Sequence, residues 1–106
     1  MFYTMKSFQS LNRPECMVMT QHCRKRFAER NISVEDIIQV IDTGCIIETY
    51  PEDFPVPSCL ILGYSGNRAI HICASIMDDY IYLITAYIPD PEKWDDDWRT
   101  RKGESE

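Results

Sequence analysis

The apolar residues of this 106-residue chain change their spacing at Gly44, and that change restricts the possible folds more than any other feature. Before it, apolar residues recur at helical intervals, as in Val34, Ile37 and Ile41. After it come four short runs rich in β-branched and aromatic residues, separated by turn-forming residues. The sequence therefore predicts an α+β domain in which two N-terminal helices precede a four-stranded antiparallel meander sheet.

The predicted strands cover residues 45–50, 58–64, 68–77 and 80–88. Three prolines between the first two strands predict a stiff loop over residues 51–57. The other connections, around Gly66 and at residues 78–79, are short enough for hairpin turns. Such short connections favour a meander with both helices on one face of the sheet.

Capping residues predict where the two helices begin. Thr20 is a suitable N-cap for a helix that ends near Asn31, and Ser33 with Asp36 resembles the capping box of a second helix. The residues before position 17 show no periodicity and predict an irregular arm. We therefore expect an irregular N-terminal arm at 1–16, a single α+β domain over 17–94 and an acidic, charged tail over 95–106.

The third predicted strand gives the two faces of the sheet different characters. Ile70, Ile72 and Ala74 alternate along it with His71 and Cys73. Successive side chains of a strand point to opposite faces, so the isoleucine side suits a helix-covered core. The side that carries His71 is then the candidate working surface.

Five cysteines without a Cys-x-x-Cys pair predict reduced thiols rather than a disulfide framework. A zinc site built from Cys16, His22 and Cys23 matches no standard ligand spacing, so we expect neither a metal nor another cofactor. No apolar run is long enough to cross a bilayer, and the N-terminus lacks the apolar segment of a signal peptide. These features predict a soluble, cytoplasmic chain without membrane contact.

Charge is distributed unevenly along the chain, whose net charge is -6. Residues 1–30 carry six basic and two acidic side chains, a balance of +4, whereas residues 31–106 carry five basic and fifteen acidic ones, a balance of -10. The basic residues concentrate in the first predicted helix, at Arg24, Lys25, Arg26 and Arg30. This helix either attracts a polyanion or is an ordinary solvated surface.

Several segments resemble a small, uncharacterised bacterial domain family, and the resemblance covers most of residues 17–102. The residues that carry it are Thr20, His22, Arg26, Arg30, Ile47, Glu48, Tyr50, Pro51, Asp53, Pro57, Ser58, Cys59, Gly63, Tyr64, Arg68, Ile70, His71, Thr85, Tyr87, Pro89, Asp90, Pro91 and Trp94. The resemblance implies a RelE-like fold, as in the RelE- and barnase-like endoribonuclease toxins. Family members often lie beside genes for antitoxins with a YgiT-type zinc finger. It therefore implies a cognate antitoxin as partner and RNA as substrate.

Metal-independent RNA cleavage requires a base for the 2′-hydroxyl, an acid for the departing 5′ oxygen and cations for the phosphorane. His22 and His71 are the predicted base and acid, because histidine titrates near neutral pH. Arg26 is the predicted phosphate ligand, and Glu48 and Tyr87 are further catalytic candidates. The candidate RNA-binding residues are Arg30, Lys25, Tyr50, Tyr64 and Arg68, of which Tyr50 and Tyr64 would stack on unpaired bases.

Other functional classes stay open at this point. A non-catalytic binding module would dock its basic helix on an acidic partner or pair an edge strand with one. A Cys–His hydrolase would use Cys59 as nucleophile and His71 as base, which requires an exposed thiol of lowered pKa. Either histidine can instead be structural. A further hypothesis places the aspartates of the tail over the basic helix as phosphate mimics. Neither the RNA target nor the oligomeric state follows from the sequence.

Overall fold

The computed structural model describes residues 3–103, so residues 1, 2 and 104–106, at the ends of the predicted arm and tail, lie outside the described part. The helices are α1 (Met5–Gln9), α2 (Gln21–Glu29) and α3 (Val34–Thr43), with a 3₁₀ turn at Pro14–Cys16. The strands are β1 (Met17–Val18), β2 (Cys45–Tyr50), β3 (Ser58–Ser65), β4 (Arg68–Met77) and β5 (Tyr80–Tyr87).

Helices α2 and α3 begin at the predicted caps. The Thr20 hydroxyl accepts a hydrogen bond from the Cys23 backbone N–H at 3.0 Å. Ser33 and Asp36 form a reciprocal capping box at the start of α3. Asn31, with a φ of 58°, takes the left-handed conformation just after α2. Local chemistry alone therefore located these two helices.

The sheet has five strands in the order β1-β5-β4-β3-β2. Strands β2 to β5 form the predicted antiparallel meander, but β1 adds a parallel edge strand through the pairs Met17↔Ile81 and Val18↔Tyr82. The α+β class is confirmed, whereas the prediction of a four-stranded, purely antiparallel sheet was wrong. A two-residue strand is too short to show an alternating pattern, and its pairing depends on the rest of the fold.

A third helix, α1, lies within the segment that we expected to be irregular. Thr4 caps it through a capping box with Ser7, and Phe8 is fully buried in the core. The Tyr3 ring contacts the Phe8 ring edge-on, with centroids 5.5 Å apart. One helical turn carries no detectable periodicity, so the sequence pattern could not reveal it.

The core lies between the helices and one face of the sheet. It includes Ile37, Val40 and Ile41 of α3 and Ile70 and Ile72 of β4, all fully buried. Within residues 3–103, no helix combines the length and the apolar character that crossing a membrane requires. The opposite face of the sheet, which we call the open face, carries the chemically versatile side chains.

Candidate functional site

His71 lies at the centre of the open face. It pairs with Leu62 on β3 and with Tyr87 on β5. Its side chain is nevertheless fully buried. The helices lie on the other face, so a different part of the chain covers this histidine.

That cover is the segment after β5, residues 89–103, which we call the C-terminal strap. Two parts of the strap lie side by side. Trp94 and Arg101 form an isolated antiparallel bridge, and the Lys102 N–H donates to the Lys93 carbonyl at 2.9 Å. The Trp94 ring stands edge-on to the His71 ring, with centroids 4.5 Å apart. The domain boundary that we expected at residue 94 therefore falls inside a segment that packs on the sheet.

The two ring nitrogens of His71 have different partners. Nε2 lies 2.6 Å from the Trp98 carbonyl oxygen, which can only accept, so Nε2 carries the proton. Nδ1 is then the acceptor, and the Tyr87 hydroxyl lies 3.3 Å from it. Burial lowers the pKa of His71 and raises that of Tyr87. Both groups are therefore neutral near neutral pH, with Tyr87 as donor and His71 as acceptor.

Glu48 and Arg101 form a bidentate ion pair beside this histidine. The distances are 2.8 Å from Nε to Oε2 and 3.0 Å from Nη2 to Oε1. The Tyr50 hydroxyl also donates to Oε1 of Glu48, at 2.5 Å. These hydrogen bonds, the one from Arg101 above all, lower the pKa of Glu48. The carboxylate is therefore ionised and already neutralised by a cation.

A register shift in β2 brings Glu48 to the open face. Ile46 pairs with Ile61, but the next paired residue is Glu48, opposite Leu60, so Ile47 is bulged. One extra residue changes the face to which the following side chains point. Without the bulge, strict alternation would place the Glu48 side chain on the same face of the sheet as Ile46.

Beside these groups is a cleft of about 340 Å³, which we call the Tyr87 cleft. Its lining residues are Tyr87, Ile88, Asp90, Lys93, Trp94 and Arg101. The Arg101 guanidinium lies over the Trp94 ring, 4.5 Å from its centroid. The cleft thus presents two cations, the Asp90 carboxylate and a hydroxyl that is hydrogen-bonded to a neutral histidine. The two cations can bind an oxyanion, and the hydroxyl can transfer a proton.

Residues 19–88 match the family described as a domain of unknown function (DUF4258). The chain belongs to this family. No curated protein and no solved structure matches the chain. The matched range of the DUF4258 domain includes Glu48, His71 and Tyr87 and ends before the strap that carries Trp94 and Arg101.

Three of the five predicted catalytic residues of the DUF4258 domain lie together, namely Glu48, His71 and Tyr87, and Tyr50 joins them through Glu48. His22 and Arg26 do not join them. Both are exposed on α2, and no hydrogen bond or ion pair of either side chain reaches another residue of the described range 3–103.

The remaining candidate binding residues have separate locations. Lys25 is exposed on α2, and Tyr64 is 40% exposed at the end of β3. Arg30 donates to the Ala86 carbonyl at 2.7 Å and so links α2 to the edge of β5. Arg68 pairs with Asp36 at 2.9 Å. The last two arginines therefore connect helices to the sheet.

Sequence reasoning missed Arg101 and Lys93. Arg101 lies in the segment 95–106 that we expected to be an acidic tail, and Lys93 lies just before that segment. Trp94 is 3% exposed and also lines the cleft. The spacing of Trp94 and Arg101 gave no indication of their contact, because residues 95–100 between them form turns rather than a helix or strand.

The tail aspartates do not contact α2 through any hydrogen bond or ion pair within residues 3–103. Asp97 instead accepts from the backbone N–H groups of Arg99 and Thr100 and from the Thr100 hydroxyl. Its carboxylate therefore stabilises a turn of the strap. The tail residues that reach the candidate site are Arg101, a cation, and Trp98, through its carbonyl oxygen.

The thiols of the DUF4258 domain do not support a nucleophilic role. Cys59 is fully buried, and burial raises its pKa to about 12. Burial also raises the pKa of Cys73. A reactive cysteine needs the opposite shift and access to substrate. All five cysteines are free, and no group of three or more potential metal ligands occurs within residues 3–103.

Proposed function

We propose that this DUF4258 domain is a toxin-type endoribonuclease that cleaves RNA without a metal at the Tyr87 cleft. The observation that carries the proposal is the hydrogen-bonded grouping of His71 with Tyr87 and of Glu48 with Arg101, of which Tyr87 and Arg101 line the cleft. Three of these residues are catalytic candidates on sequence grounds alone, independently of their proximity in the fold. The toxin assignment itself rests on the resemblance to RelE- and barnase-like toxins.

Tyr87 and His71 would supply the base. As the 2′-oxygen attacks phosphorus, its proton passes to the Tyr87 oxygen while the Tyr87 proton passes to Nδ1 of His71. The Trp98 carbonyl, which accepts from Nε2, stabilises the imidazolium that results. This arrangement needs a neutral histidine at the start, and burial favours that form by lowering the pKa of His71.

Lys93 and Arg101 would act on the phosphate. Arg101 uses Nε and Nη2 for Glu48, which leaves Nη1 outside this bidentate pair. Nη1 is therefore the group that would bind a phosphate oxygen. As the bond from phosphorus to the 5′ oxygen breaks, the Lys93 ammonium gives that oxygen a proton. The products are a 2′,3′-cyclic phosphate and a 5′-hydroxyl, and solvent restores both proton carriers.

The proposal includes a cytoplasmic location and a cognate antitoxin, with proteins that carry a YgiT-type zinc finger as the candidates. Five free cysteines suit a reducing compartment. An antitoxin would have to block the Tyr87 cleft or prevent RNA from entering it.

The test uses the purified chain and a labelled single-stranded RNA in the presence of EDTA. Tyr87→Phe removes one hydroxyl and keeps the ring, so it should reduce the cleavage rate by about a hundredfold if Tyr87 transfers the proton. His22→Ala is the control and should cleave at the wild-type rate. An RNA with a single 2′-deoxy position should resist cleavage there. Intact RNA with the wild-type protein, or equal rates for Tyr87→Phe and wild type, would overturn the proposal.

A non-catalytic binding module is the second candidate, and one observation favours it. His71 is fully buried with both nitrogens engaged, and Glu48 is neutralised by Arg101, so the polar groups are already satisfied without a substrate. Induced expression in cells separates the two candidates. Growth arrest with fragmented RNA that Tyr87→Phe abolishes supports the enzyme, whereas unchanged growth and intact RNA support the binding module.

A further inference from the structure

A second part of the open face is apolar and lies beyond the strap. Two cavities of about 380 and 350 Å³ adjoin each other there and share Tyr82 and Ile84 in their walls. Phe54 and Met77 line the first, and Met19 lines the second. We call the two cavities together the Phe54 groove. None of its residues belongs to the proposed RNA site, so a role for this groove does not depend on RNA cleavage.

A bulge in β5 creates the ridge between the two cavities. Cys73 pairs with Thr85 and Ala74 pairs with Leu83, which leaves Ile84 without a partner on β4. Bulges redirect side chains, and Ile84 is consequently 49% exposed although its neighbour Leu83 is buried. An isoleucine that is exposed at this position does not contribute to the packing of the core.

The proline-rich loop adds the most exposed aromatic residue of the described range. Phe54 is 95% exposed, and the ring restraints of Pro51, Pro55 and Pro57 limit the backbone around it. A restrained loop loses little entropy when its side chains are covered by a partner. Large exposed apolar surfaces of this kind are typical of sites where another protein binds.

The rim of the Phe54 groove is acidic. Glu52 and Asp53 precede Phe54 in the proline loop, and Asp53 lines the first cavity. Both are exposed, and neither takes part in an ion pair among residues 3–103. A ligand with positive charges beside its apolar groups would complement this rim.

We infer that the Phe54 groove binds a segment of another protein that inserts two apolar side chains into the two cavities and carries lysine or arginine beside them. The basic helix α2 of a second copy does not offer such a segment, because its apolar residues Cys23 and Phe27 are buried in the core, at 5% and 4% exposure. The acidic rim would also repel the same acidic rim of a second copy. The proposed occupant is therefore a different protein.

Two synthetic peptides test the inference. They share the same pair of leucines, spaced to reach both cavities, and differ only in flanking lysines or flanking glutamates. Isothermal titration calorimetry with the full chain should detect binding of the lysine peptide and at least about tenfold weaker binding of the glutamate peptide. Equal binding of both peptides, or binding of neither, would overturn the inference.

Variants then locate the binding. Phe54→Ser and Ile84→Ser change exposed side chains, so both should fold and each should weaken the lysine peptide by about tenfold or more. Tyr64→Ser, at a 40% exposed aromatic outside the groove, is the matched control and should bind as wild type. The pair Glu52→Gln and Asp53→Asn removes both charges of the rim and keeps the shape of the side chains, and it should remove most of the preference for lysine.

Self-association is the competing outcome. Sedimentation velocity should show a monomer for wild type at the concentrations used for titration. A dimer that Ile84→Ser dissociates would mean that a second copy occupies the groove, and the inference would fail. If peptide binding is unchanged in both serine variants, the peptide binds outside the groove, and the inference would also fail.

Discussion

The two faces of the sheet differ in the interactions that hold their covering segments in place. The helix-covered face is closed by apolar packing, with Ile70 and Ile72 of β4 fully buried against Ile37 and Ile41 of α3. The open face is closed around His71 by hydrogen bonds and one ion pair from a strap without regular secondary structure. Apolar packing is non-directional, whereas each polar contact on the open face requires one particular partner.

This difference has a consequence for stability and for function. Loss of packing on the first face should unfold the domain, because it removes the main stabilising term of folding. Loss of a polar contact on the open face should change the strap and the Tyr87 cleft while the sheet survives. Variants on the two faces test this contrast.

The largest effect is expected at Gly63, where α3 packs on β3. A Cβ added there would lie 2.1 Å from the Val40 carbonyl oxygen and 2.8 Å from the Val40 carbonyl carbon. Backbone atoms cannot yield as a flexible side chain can, so Gly63→Ala should separate helix and strand. We expect a loss of about 3 kcal/mol or more in the free energy of unfolding, measured by urea denaturation followed by circular dichroism.

Gly66→Ala is the matched control for that experiment. Gly66 has a φ of 61°, but no atom lies within 4 Å of the position of its Cβ. Only the left-handed conformation is then strained, which costs about 1 kcal/mol. If both variants lose the same free energy of unfolding, the close contact between α3 and β3 does not explain the need for glycine at position 63.

Asp36 is a polar residue that joins the start of α3 to the sheet on the helix-covered side. It caps α3 through Ser33, accepts from the Ser65 hydroxyl at 2.6 Å and pairs with Arg68, and these contacts lower its pKa to about 2. Asp36→Asn should reduce stability at pH 7 by about 1–2 kcal/mol, mainly through the lost cap.

The pH dependence provides the check for Asp36. Its pKa is depressed in the folded state, so its contribution is complete above the unfolded value near 4 and is lost as pH falls towards 2. The difference in unfolding free energy between wild type and Asp36→Asn should therefore shrink over that range. A difference that stays constant would show that the ionised carboxylate is not what stabilises α3.

Much of the helix-covered side could be predicted from the sequence, because local rules and tertiary packing agree there. Thr20, Ser33 and Gly44 marked the helices, and the alternation along residues 68–77 identified the buried face. The edge strand β1 was not predicted, because a parallel pairing of only two residues leaves no pattern in the sequence.

Only part of the candidate site could be predicted from the sequence, and the reason is different. His71, Glu48 and Tyr87 lie on strands, where alternation determines the face. His22 and Arg26 were grouped with them without any pattern that relates α2 to the open face, and α2 leaves both exposed without a hydrogen bond or ion pair from either side chain within residues 3–103. Arg101 lies in a strap held by tertiary contacts, which no periodicity reports.

A smaller effect is expected from the ion pair that holds the strap. Arg101→Ala removes the bidentate contact with Glu48 and the stacking on Trp94, yet the Arg101 side chain is 39% exposed. We expect a loss of about 1 kcal/mol in stability. Hydrogen exchange should nevertheless become faster at Lys102, whose N–H bonds to Lys93, while β3 and β4 stay protected.

Glu48→Gln is the companion variant for the ion pair. It keeps the shape of the side chain and removes its charge. In a double-mutant cycle, Glu48→Gln and Arg101→Ala should show a coupling energy of about 0.5–1 kcal/mol. Zero coupling would mean that the strap is held by the Trp94 and Trp98 contacts to His71 instead of by the ion pair.

The smallest effect at neutral pH, and the most specific to the open face, belongs to His71. Burial lowers its pKa, so below about pH 6.5 the unfolded chain takes up a proton that the folded chain does not. Stability should fall with pH there, by at most about 1.4 kcal/mol per pH unit from this one group. His71→Gln should reduce that slope, measured by urea denaturation between pH 7 and pH 5. If wild type and His71→Gln have the same slope, the strap does not keep His71 neutral, and the acceptor role that links His71 to Tyr87 loses its physical basis.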